Sequence, residues 1–343
     1  MQRTLKTLIG SLSVLIQDWL VYEISMNKFK YLRIRNRMEK LGGGPRKHSY
    51  VCLWPYTSRL TAVEKWPFIG RSILRRCIRD NEFRLDGQRI DSKHYDVTVI
   101  IGHRGVQRKE LLLATLKSVE SQKGVDVECI VVEQDNTPKI ESILPPWVRY
   151  IFQKSSGGKE SYNRSAAFNL GAKHARGRIL VLHDNDMLVP TLYCREIVKL
   201  ANAGYDALNI KRFVIYLSRL DTERIIGSID RLKSCTPVYI VQNLEAGGSM
   251  AITKEAYIRI GGMDESFVGW GGEDNEFWNR CSVLKRWIWG YKPLIHLWHE
   301  SQPLKGDAQN LNLERARYLE KSDVLERIER LKAEDSTEIE SSD

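Results

Sequence analysis

Short apolar runs alternate with amphipathic stretches along the chain from Tyr95 onward. Runs rich in β-branched residues predict buried strands, and apolar residues at helical spacing predict the helices that cover them. The predicted strands are residues 97–101, 127–132, 150–152 and 179–182, with helices at 111–121 and 165–175. This alternation predicts an α/β fold with a mostly parallel central sheet and right-handed crossovers.

The later part of the chain has a less uniform pattern. It predicts helices at residues 191–203, 254–260 and 274–284, and strands at 206–210, 247–252 and 294–300. Residues 211–241 have no clear period, so we expect irregular structure there that shapes a binding pocket. Residues 311–332 predict a charged amphipathic helix, and the acidic residues 333–343 predict a disordered tail.

These patterns divide the chain into four parts. We expect an amphipathic basic N-terminal segment (1–44), a lead-in region (45–94), the strand–helix domain (95–305), and a C-terminal helix with an acidic tail (306–343). Apolar positions at helical spacing over residues 3–24 are broken by Gln17 and Asp18, so the run is too short to span a bilayer. With the basic residues that follow, residues 3–40 predict a membrane-surface anchor or a helix packed on its own domain.

Charge and cysteine content narrow the classes of function. Lys and Arg number 53 against 43 Asp and Glu, a formal net charge of +10 that suits anionic partners. Six scattered cysteines without a C-x-x-C pair favour a reducing, cytoplasmic compartment. No P-loop and no G-x-G-x-x-G follows a predicted strand, which argues against P-loop NTPases and dinucleotide enzymes. A diphosphate would then be met by a metal ion and by basic side chains such as Arg104, Lys159 and Arg164.

Two carboxylates follow the apolar run that ends at Leu182. Asp184 and Asp186 lie two positions apart, where the end of a buried strand turns toward the edge of the sheet. Ligands bind at that edge in open α/β sheets, and two hard oxygen ligands there suit Mg²⁺ or Mn²⁺. The same triplet also occurs by chance as a solvated turn, so its position after the strand carries the prediction.

Residues 269–278 contain several candidate binding and catalytic residues close together. Glycines such as Gly272 let the backbone approach a ligand, and Trp270 offers a flat face on which a sugar ring can stack. Glu273 and Asp274 begin a predicted helix, whose dipole favours an ionised carboxylate that can act as a general base toward a hydroxyl. The alternative is a capping pair after a glycine turn.

His296 and His299 lie on the last predicted strand, soon after this acidic segment. A histidine there is a candidate third metal ligand. Positions three apart on a strand face opposite sides, so we expect one metal ligand rather than two.

In this order the motifs resemble family 2 glycosyltransferases of the GT-A fold. The resemblance covers residues 95–303 and rests on five motifs: Thr98-Val99-Ile100-Ile101, Ile130-Val131-Val132-Glu133-Gln134-Asp135, Arg164 with Asn169, His183-Asp184-Asn185-Asp186 and Gly269-Trp270-Gly271-Gly272-Glu273-Asp274. The last motif is similar to one shared by galactosyltransferases and chondroitin-type polymerases.

The resemblance implies a single nucleotide-sugar-binding domain and an inverting transfer from a nucleotide diphosphate sugar, commonly UDP-linked, with Mn²⁺ or Mg²⁺. Its donor-binding positions would be Ile101, His103, Arg104, Glu133, Asp135, Arg164, Asn169 and Asp184. Asp186 and His299 would hold the metal, with Asp184 beside them and His296 as the alternative histidine. Asp274 would be the catalytic base. Glu273, Trp270 and Gly272 would bind the acceptor.

Two features depart from the family pattern. Gly102-His103-Arg104 replaces the usual proline-containing loop, and Glu133-Gln134 replaces the usual Asp-Asp pair. We expect a glycan or glycolipid acceptor, no nucleic acid, and a cytoplasmic protein that is peripheral at the membrane. The alternatives are a catalytically inactive protein of the same fold that binds a membrane surface, and a metal-dependent nucleotidyltransferase.

Overall fold

The computed structural model describes residues 12, 29–36, 39–53, 58–87, 94–155, 162–301 and 310–340, with side chains described as far as residue 334. The amphipathic segment predicted at residues 3–24 lies outside this part of the chain, apart from Leu12, and so does Lys159. Among the helices described, none is long and apolar enough to cross a membrane.

The strands form three sheets, and their bounds follow the chain. They are β1 Leu41–Gly43, β2 Tyr50–Cys52, β3 Ser58–Arg59, β4 Val97–His103, β5 Val127–Asp135, β6 Arg149–Lys154, β7 Ile179–His183, β8 Met187–Leu188, β9 Ala207–Leu208, β10 Lys211–Tyr216, β11 Tyr239–Gln242, β12 Ser249–Thr253, β13 Arg286–Trp287 and β14 Lys292–His296.

The helices cover these sheets. They are α1 Thr61–Lys65, α2 Pro67–Asp80, α3 Lys109–Glu120, α4 Arg164–His174, α5 Tyr193–Asn202, α6 Arg219–Gly227, α7 Lys254–Arg259, α8 Glu273–Arg280, α9 Leu311–Glu320 and α10 Val324–Glu340. Single 3₁₀ turns occur at Lys30–Arg33, Glu141–Ile143, Ile229–Ser234 and Cys281–Val283.

The main sheet has seven strands in the order β13-β9-β12-β7-β4-β5-β6. Strands β7, β4, β5 and β6 are parallel, and β12 pairs antiparallel with both β7 and β9. Every residue of β7 is buried, as expected for a strand covered by helices on both faces. The α/β fold predicted from the sequence, with its mostly parallel central sheet, is confirmed.

A second sheet of five strands, in the order β3-β11-β10-β14-β8, lies beyond the predicted pattern. It contains β10 and β11, so the prediction of irregular structure at residues 211–241 was wrong. The sequence did not indicate β10, because the strand begins with two charged residues, Lys211 and Arg212. In the structure both side chains are buried and donate hydrogen bonds to backbone carbonyls. Lys211 donates to the Ser249 carbonyl at 2.6 Å, and Arg212 to the Leu32 carbonyl at 2.7 Å.

The lead-in region packs onto this second sheet. Its strand β3 pairs with β11, with Arg59 opposite Val241. Ile73, Leu74 and other side chains of α2 share one hydrophobic cluster with the buried residues of β10 and β14. The lead-in therefore adds an edge strand and a covering helix to the sheet.

The C-terminal region forms two helices where one was predicted. A break at residues 321–323 separates α9 from α10, and α10 continues to Glu340, inside the segment that was expected to be disordered. Arg327 of α10 donates to Glu276 at 3.0 Å, and Glu276 also binds the buried Arg280. These buried ion pairs fasten α10 to α8, the helix that carries the acidic motif.

Candidate active site

The two carboxylates after β7 point in different directions. Asp186 is 3% exposed, whereas Asp184 is half-buried and faces α4. His183 fixes the turn through a 3.0 Å contact between its Nε2 and the Met187 carbonyl. Asn185 donates to His103 Nδ1 at 2.9 Å, which ties the turn to the end of β4.

Asp186 meets both histidines of the last strand. One ligand atom each from Asp186, His296 and His299 can be chosen so that all three lie within 4.8 Å of one another. Asp186 Oδ2 is 3.3 Å from His299 Nε2, and Asp186 Oδ1 is 3.8 Å from His296 Nε2. Strand geometry was expected to place the two histidines on opposite sides, but β14 ends at His296 and irregular backbone carries His299 to the same side. The number of histidines that bind a metal stays a prediction.

The donor set of this cluster fits a divalent cation. Asp186 Oδ1 is buried without a hydrogen-bond partner, which is costly for a carboxylate oxygen unless a cation completes its shell. His299 Nδ1 lies 2.6 Å from the Glu300 carbonyl, the kind of outer contact that orients a metal-binding histidine. One carboxylate and two imidazoles suit Mn²⁺ better than Mg²⁺, which prefers oxygen ligands. Within the described residues Asp184 stays outside this cluster.

Arg108 lies beside the cluster, although the sequence did not indicate it as a site residue. Its guanidinium donates to Asp186 Oδ2 at 3.1 Å and lies 3.0 Å from His299 Nδ1. The residue falls in the loop before α3, where nothing in the local pattern marks it. It places a positive charge beside the proposed metal position, where a diphosphate would also lie.

Arg164 joins the two acidic motifs. It is the first residue of α4, and Asn163 caps that helix by accepting from Ala166 N. The guanidinium donates to Asp184 Oδ1 at 2.5 Å, to Asp274 Oδ1 at 2.5 Å and to Glu273 Oε1 at 3.3 Å. Although burial acts to raise it, the pKa of Asp184 lies below its usual range because of this guanidinium.

The acidic pair at the start of α8 is half-buried, and this burial shifts the pKa values of both carboxyl groups. Burial and the neighbouring charge of Asp274 raise the pKa of Glu273 to about 7. Burial also raises the pKa of Asp274, although Arg164 acts in the opposite direction. Burial of Asp274 therefore acts against the helix dipole, which was expected to favour its ionised form. A base with a raised pKa is better matched to taking a proton near neutral pH.

The glycine loop before α8 is held by the C-terminal helix α9. Asn310 donates to the Trp270 carbonyl at 3.0 Å, and Asn312 donates to the Val268 carbonyl at 2.8 Å. Gly272 has a φ of 89°, and a Cβ there would lie 2.6 Å from the Asn312 carbonyl oxygen. Trp270 is half-buried in this loop.

The structure gives structural partners to three of the expected donor-binding residues. Glu133 is fully buried and accepts from Lys139 N, Ile140 N and Tyr150 Oη. The Asn169 amide binds Tyr257 and the backbone of Met263, so it pins the loop after α7. His103 is also fully buried, with Nε2 2.7 Å from the Gly105 carbonyl. Each of these side chains orders a loop at the rim of the site.

Ile101, Arg104 and Asp135 lie at the ends of β4 and β5. Ile101 is fully buried, and Arg104 is half-buried. Asp135 accepts from Lys139 Nζ at 2.7 Å. Burial acts to raise the pKa of Asp135, and the bonds from Lys139 and Asn136 lower it overall.

Two further polar groups, the buried Lys211 and the half-buried Tyr162, interact with charges of the acidic motifs. Burial lowers the pKa of Lys211 to about 7, and the charges of Asp274 and Asp184 act against that shift. The Tyr162 hydroxyl lies beside Gly102, so close that a Cβ there would meet it at 2.3 Å. Neither residue belongs to a sequence motif, and only the fold brings them to the site.

Two family models and one known protein match parts of this chain. Residues 98–259 match the family model described as glycosyl transferase family 2, and residues 238–292 match the model described as the N-terminal domain of galactosyltransferase. Chondroitin synthase from Escherichia coli is 26% identical over 212 residues, which cover 50% of this chain and 30% of that protein. The chain thus corresponds to less than a third of the length of that relative.

These matches and the α/β fold agree with the motifs read from the sequence. The α/β fold and the matched segments are similar to those of glycosyltransferases. Residues 98–259 are thus similar to family 2 glycosyltransferases, as the motifs predicted, and this match supports the expected enzyme class.

Proposed function

We propose that the chain transfers a sugar from a nucleotide diphosphate sugar, UDP-linked, to a hydroxyl of a glycan or glycolipid acceptor, with inversion at the anomeric carbon. One observation carries the proposal: the Arg164 guanidinium bonds both Asp184 and Asp274. Asp184 belongs to the parallel-strand half of the domain, which would bind the nucleotide (the nucleotide half), and Asp274 to the later half, which would bind the acceptor (the acceptor half). The two halves therefore meet at one point, as a direct transfer between donor and acceptor requires.

On the donor side, the charges are arranged for a diphosphate. Arg104, Arg108 and Arg164 present positive charge near the ends of β4 and β7, and Asp186 with the two histidines would hold Mn²⁺. A bound ion would neutralise charge on the departing diphosphate. Asp135 and Ile101 would flank the nucleoside. Of the two acids in β5, Asp135 is the better candidate because the carboxylate of Glu133 is already engaged.

On the acceptor side, Asp274 would take the proton. The acceptor oxygen attacks the anomeric carbon as the bond from that carbon to the diphosphate oxygen breaks, and the proton passes to the Asp274 carboxylate. A single displacement of this kind inverts the anomeric centre. Glu273 Oε2 is buried without a partner, so it is available to orient an acceptor hydroxyl, with Trp270 as the stacking face.

The relative supports the acceptor class only in general terms. Its name describes synthesis of chondroitin, which is a glycan, and this chain matches 30% of its length. We therefore extend to this chain a glycan-type acceptor, without a named sugar or linkage.

We also propose a cytoplasmic location at a membrane surface, and we keep the four-part division at residues 44, 94 and 305. The support is the basic composition of residues 28–40 and the scattered cysteines. Sedimentation of the full chain with anionic and with neutral vesicles tests the location. Binding to neither kind of vesicle would contradict it.

A donor panel tests the function. The full chain is incubated with UDP-sugars and a panel of glycan acceptors in Mn²⁺, in Mg²⁺ or in EDTA, and nucleotide release is followed together with product configuration by NMR. We expect UDP release that depends on Mn²⁺, is lost in Asp186→Asn, and gives an inverted product.

The competing functions give different results in the same panel. UDP-sugar binding without release under any condition indicates a non-catalytic binding protein. Release of pyrophosphate from UTP and a sugar phosphate indicates a nucleotidyltransferase. A product with retained configuration contradicts the single displacement.

A further inference from the structure

Four side chains stack across the second sheet, beginning at the metal-ligand cluster. The rings of His296 and Tyr216 lie 4.2 Å apart at 24°, and those of Tyr216 and Tyr239 lie 4.2 Å apart at 22°. Arg59 completes the row, with its guanidinium carbon 4.0 Å from the centre of the Tyr239 ring. Such close, nearly parallel contacts restrict the tilt of every ring in the row.

Strand register produces this row. Tyr216 is the Cα partner of His296 in the parallel pair β10–β14, and of Tyr239 in the antiparallel pair β10–β11. Directly opposed residues project from the same face of a sheet, so the three rings must adjoin. Arg59, on β3, lies beyond β11 at the edge of the same sheet.

The two histidines of the cluster are held in different ways. His299 has the carbonyl of Glu300 at its Nδ1, the usual means of orienting a metal-binding imidazole. His296 has the face of Tyr216 against its ring, which leaves its Nε2 directed at Asp186 Oδ1, 3.8 Å away. Rotation of the His296 ring would have to displace the phenol.

We infer that Tyr216 is a positioning residue that orients the imidazole of His296 for metal binding, with Tyr239 and Arg59 supporting Tyr216 from the other side. The inference rests on the metal site of the proposed function and extends it to residues that touch neither metal nor substrate. It also gives the lead-in region a role at the site, because Arg59 belongs to it.

The test is titration of the full chain with Mn²⁺ alone, by calorimetry, with no donor present. Loss of an outer-sphere partner lowers metal affinity by roughly 10- to 100-fold. We expect Tyr216→Leu to weaken Mn²⁺ binding about tenfold, and Tyr216→Phe, which keeps the ring, to bind as the wild type does. Tyr239→Leu should weaken binding less than Tyr216→Leu.

Tyr205→Leu is the matched control. Tyr205 also contacts an aromatic ring, with its centre 5.2 Å from that of Trp287 in the main sheet, so its loss should leave Mn²⁺ affinity unchanged. Wild-type affinity in Tyr239→Leu and in folded Tyr216→Leu would overturn the inference. If Tyr216→Leu does not fold, unchanged Mn²⁺ affinity in Tyr239→Leu is by itself enough to overturn the inference.

Failure of the underlying metal site gives a different result. In that case the wild type binds no Mn²⁺, or Asp186→Asn binds it as well as the wild type does. Metal binding that depends on Asp186 but not on Tyr216 leaves the proposed function intact and removes only the inference.

Discussion

Arg164 donates a 2.5 Å hydrogen bond to Asp274, the residue proposed to take the acceptor proton. The same guanidinium donates a second hydrogen bond to Asp184. The side chain of Arg164 is only 14% exposed. The position and the charge of the base are therefore set by a residue 110 positions earlier in the chain, at the start of α4. Asp274 is held by the same group that orders the donor side.

Replacing Arg164 tests this connection. In Arg164→Ala, Asp184, Glu273 and Asp274 lose their shared cation, so the pKa of Asp274 should rise and fewer molecules should carry an ionised base. We expect kcat/KM to fall roughly 100-fold at neutral pH, within the range attributed to a positioned general base. The acid limb of the pH profile of kcat/KM should move to higher pH.

Arg164→Lys should lose less, because lysine keeps the charge but not the two-pronged geometry. Arg84→Ala is the control, since Arg84 pairs with the exposed acids Glu82 and Asp86. A fall in kcat/KM with an unmoved acid limb would show that Arg164 acts on geometry alone.

The raised pKa of Glu273 predicts that the stability of the protein depends on pH in an unusual direction. Its pKa rises from 4.5 to about 7 on folding, so the folded state binds more protons between these values. The free energy of unfolding should therefore fall as pH rises through this range, by up to about 3 kcal/mol from this group. In Glu273→Gln the side chain is neutral at every pH, so this pH-dependent fall in the free energy of unfolding should be absent.

Denaturant unfolding at about pH 5 and about pH 8 measures the effect. We expect Glu273→Gln to be more stable than the wild type at the higher pH, and close to it at the lower pH, where Glu273 is protonated in the folded protein. Equal differences at both pH values would contradict a buried carboxyl with a raised pKa.

Gly272→Ala tests the contact between the glycine loop and α9. A side chain at this left-handed position is strained and would meet the Asn312 carbonyl at 2.6 Å. The loop and α8 should shift, so we expect the KM for the acceptor to rise while donor binding changes little.

Gly227→Ala is the matched control, because a Cβ there meets nothing within 4 Å. Kinetics with varied acceptor separate the two variants. Wild-type acceptor KM in Gly272→Ala would show that the loop does not set the acceptor site.

Metal removal should change thermal stability through Asp186. A ligand present at 100 times its dissociation constant stabilises the folded protein by about 2.7 kcal/mol. We expect EDTA to lower the Tm of the wild type, and Mn²⁺ to restore it, with neither effect in Asp186→Asn. Differential scanning fluorimetry measures this, and a metal response that persists in Asp186→Asn would place the ion elsewhere.

The nucleotide half of the fold was predictable because its strands are locally marked. Residues 97–101 are all β-branched and residues 179–182 are a continuous apolar run, and the structure shows strands at both places. The second sheet was not predictable in this way, because β10 opens with Lys211 and Arg212. Their burial depends on the carbonyls of Ser249 and Leu32, which are remote in sequence.

The candidate site shows the same limit. Asp186 and Asp274 stand in motifs, so the sequence marks them. Arg108 lies in a loop without a pattern, and only the fold brings it to Asp186. Conversely, Glu133 occupies a motif position but satisfies loop backbone groups, which residue type alone does not reveal.

The most direct test of the account is Asp274→Asn, assayed for sugar transfer and for UDP-sugar binding in the same preparation with Mn²⁺. Asparagine preserves the shape of the side chain but cannot accept the acceptor proton. We predict loss of transfer with near-normal UDP-sugar affinity. Transfer at the wild-type rate by Asp274→Asn would contradict the assignment of the base, and with it the proposed mechanism.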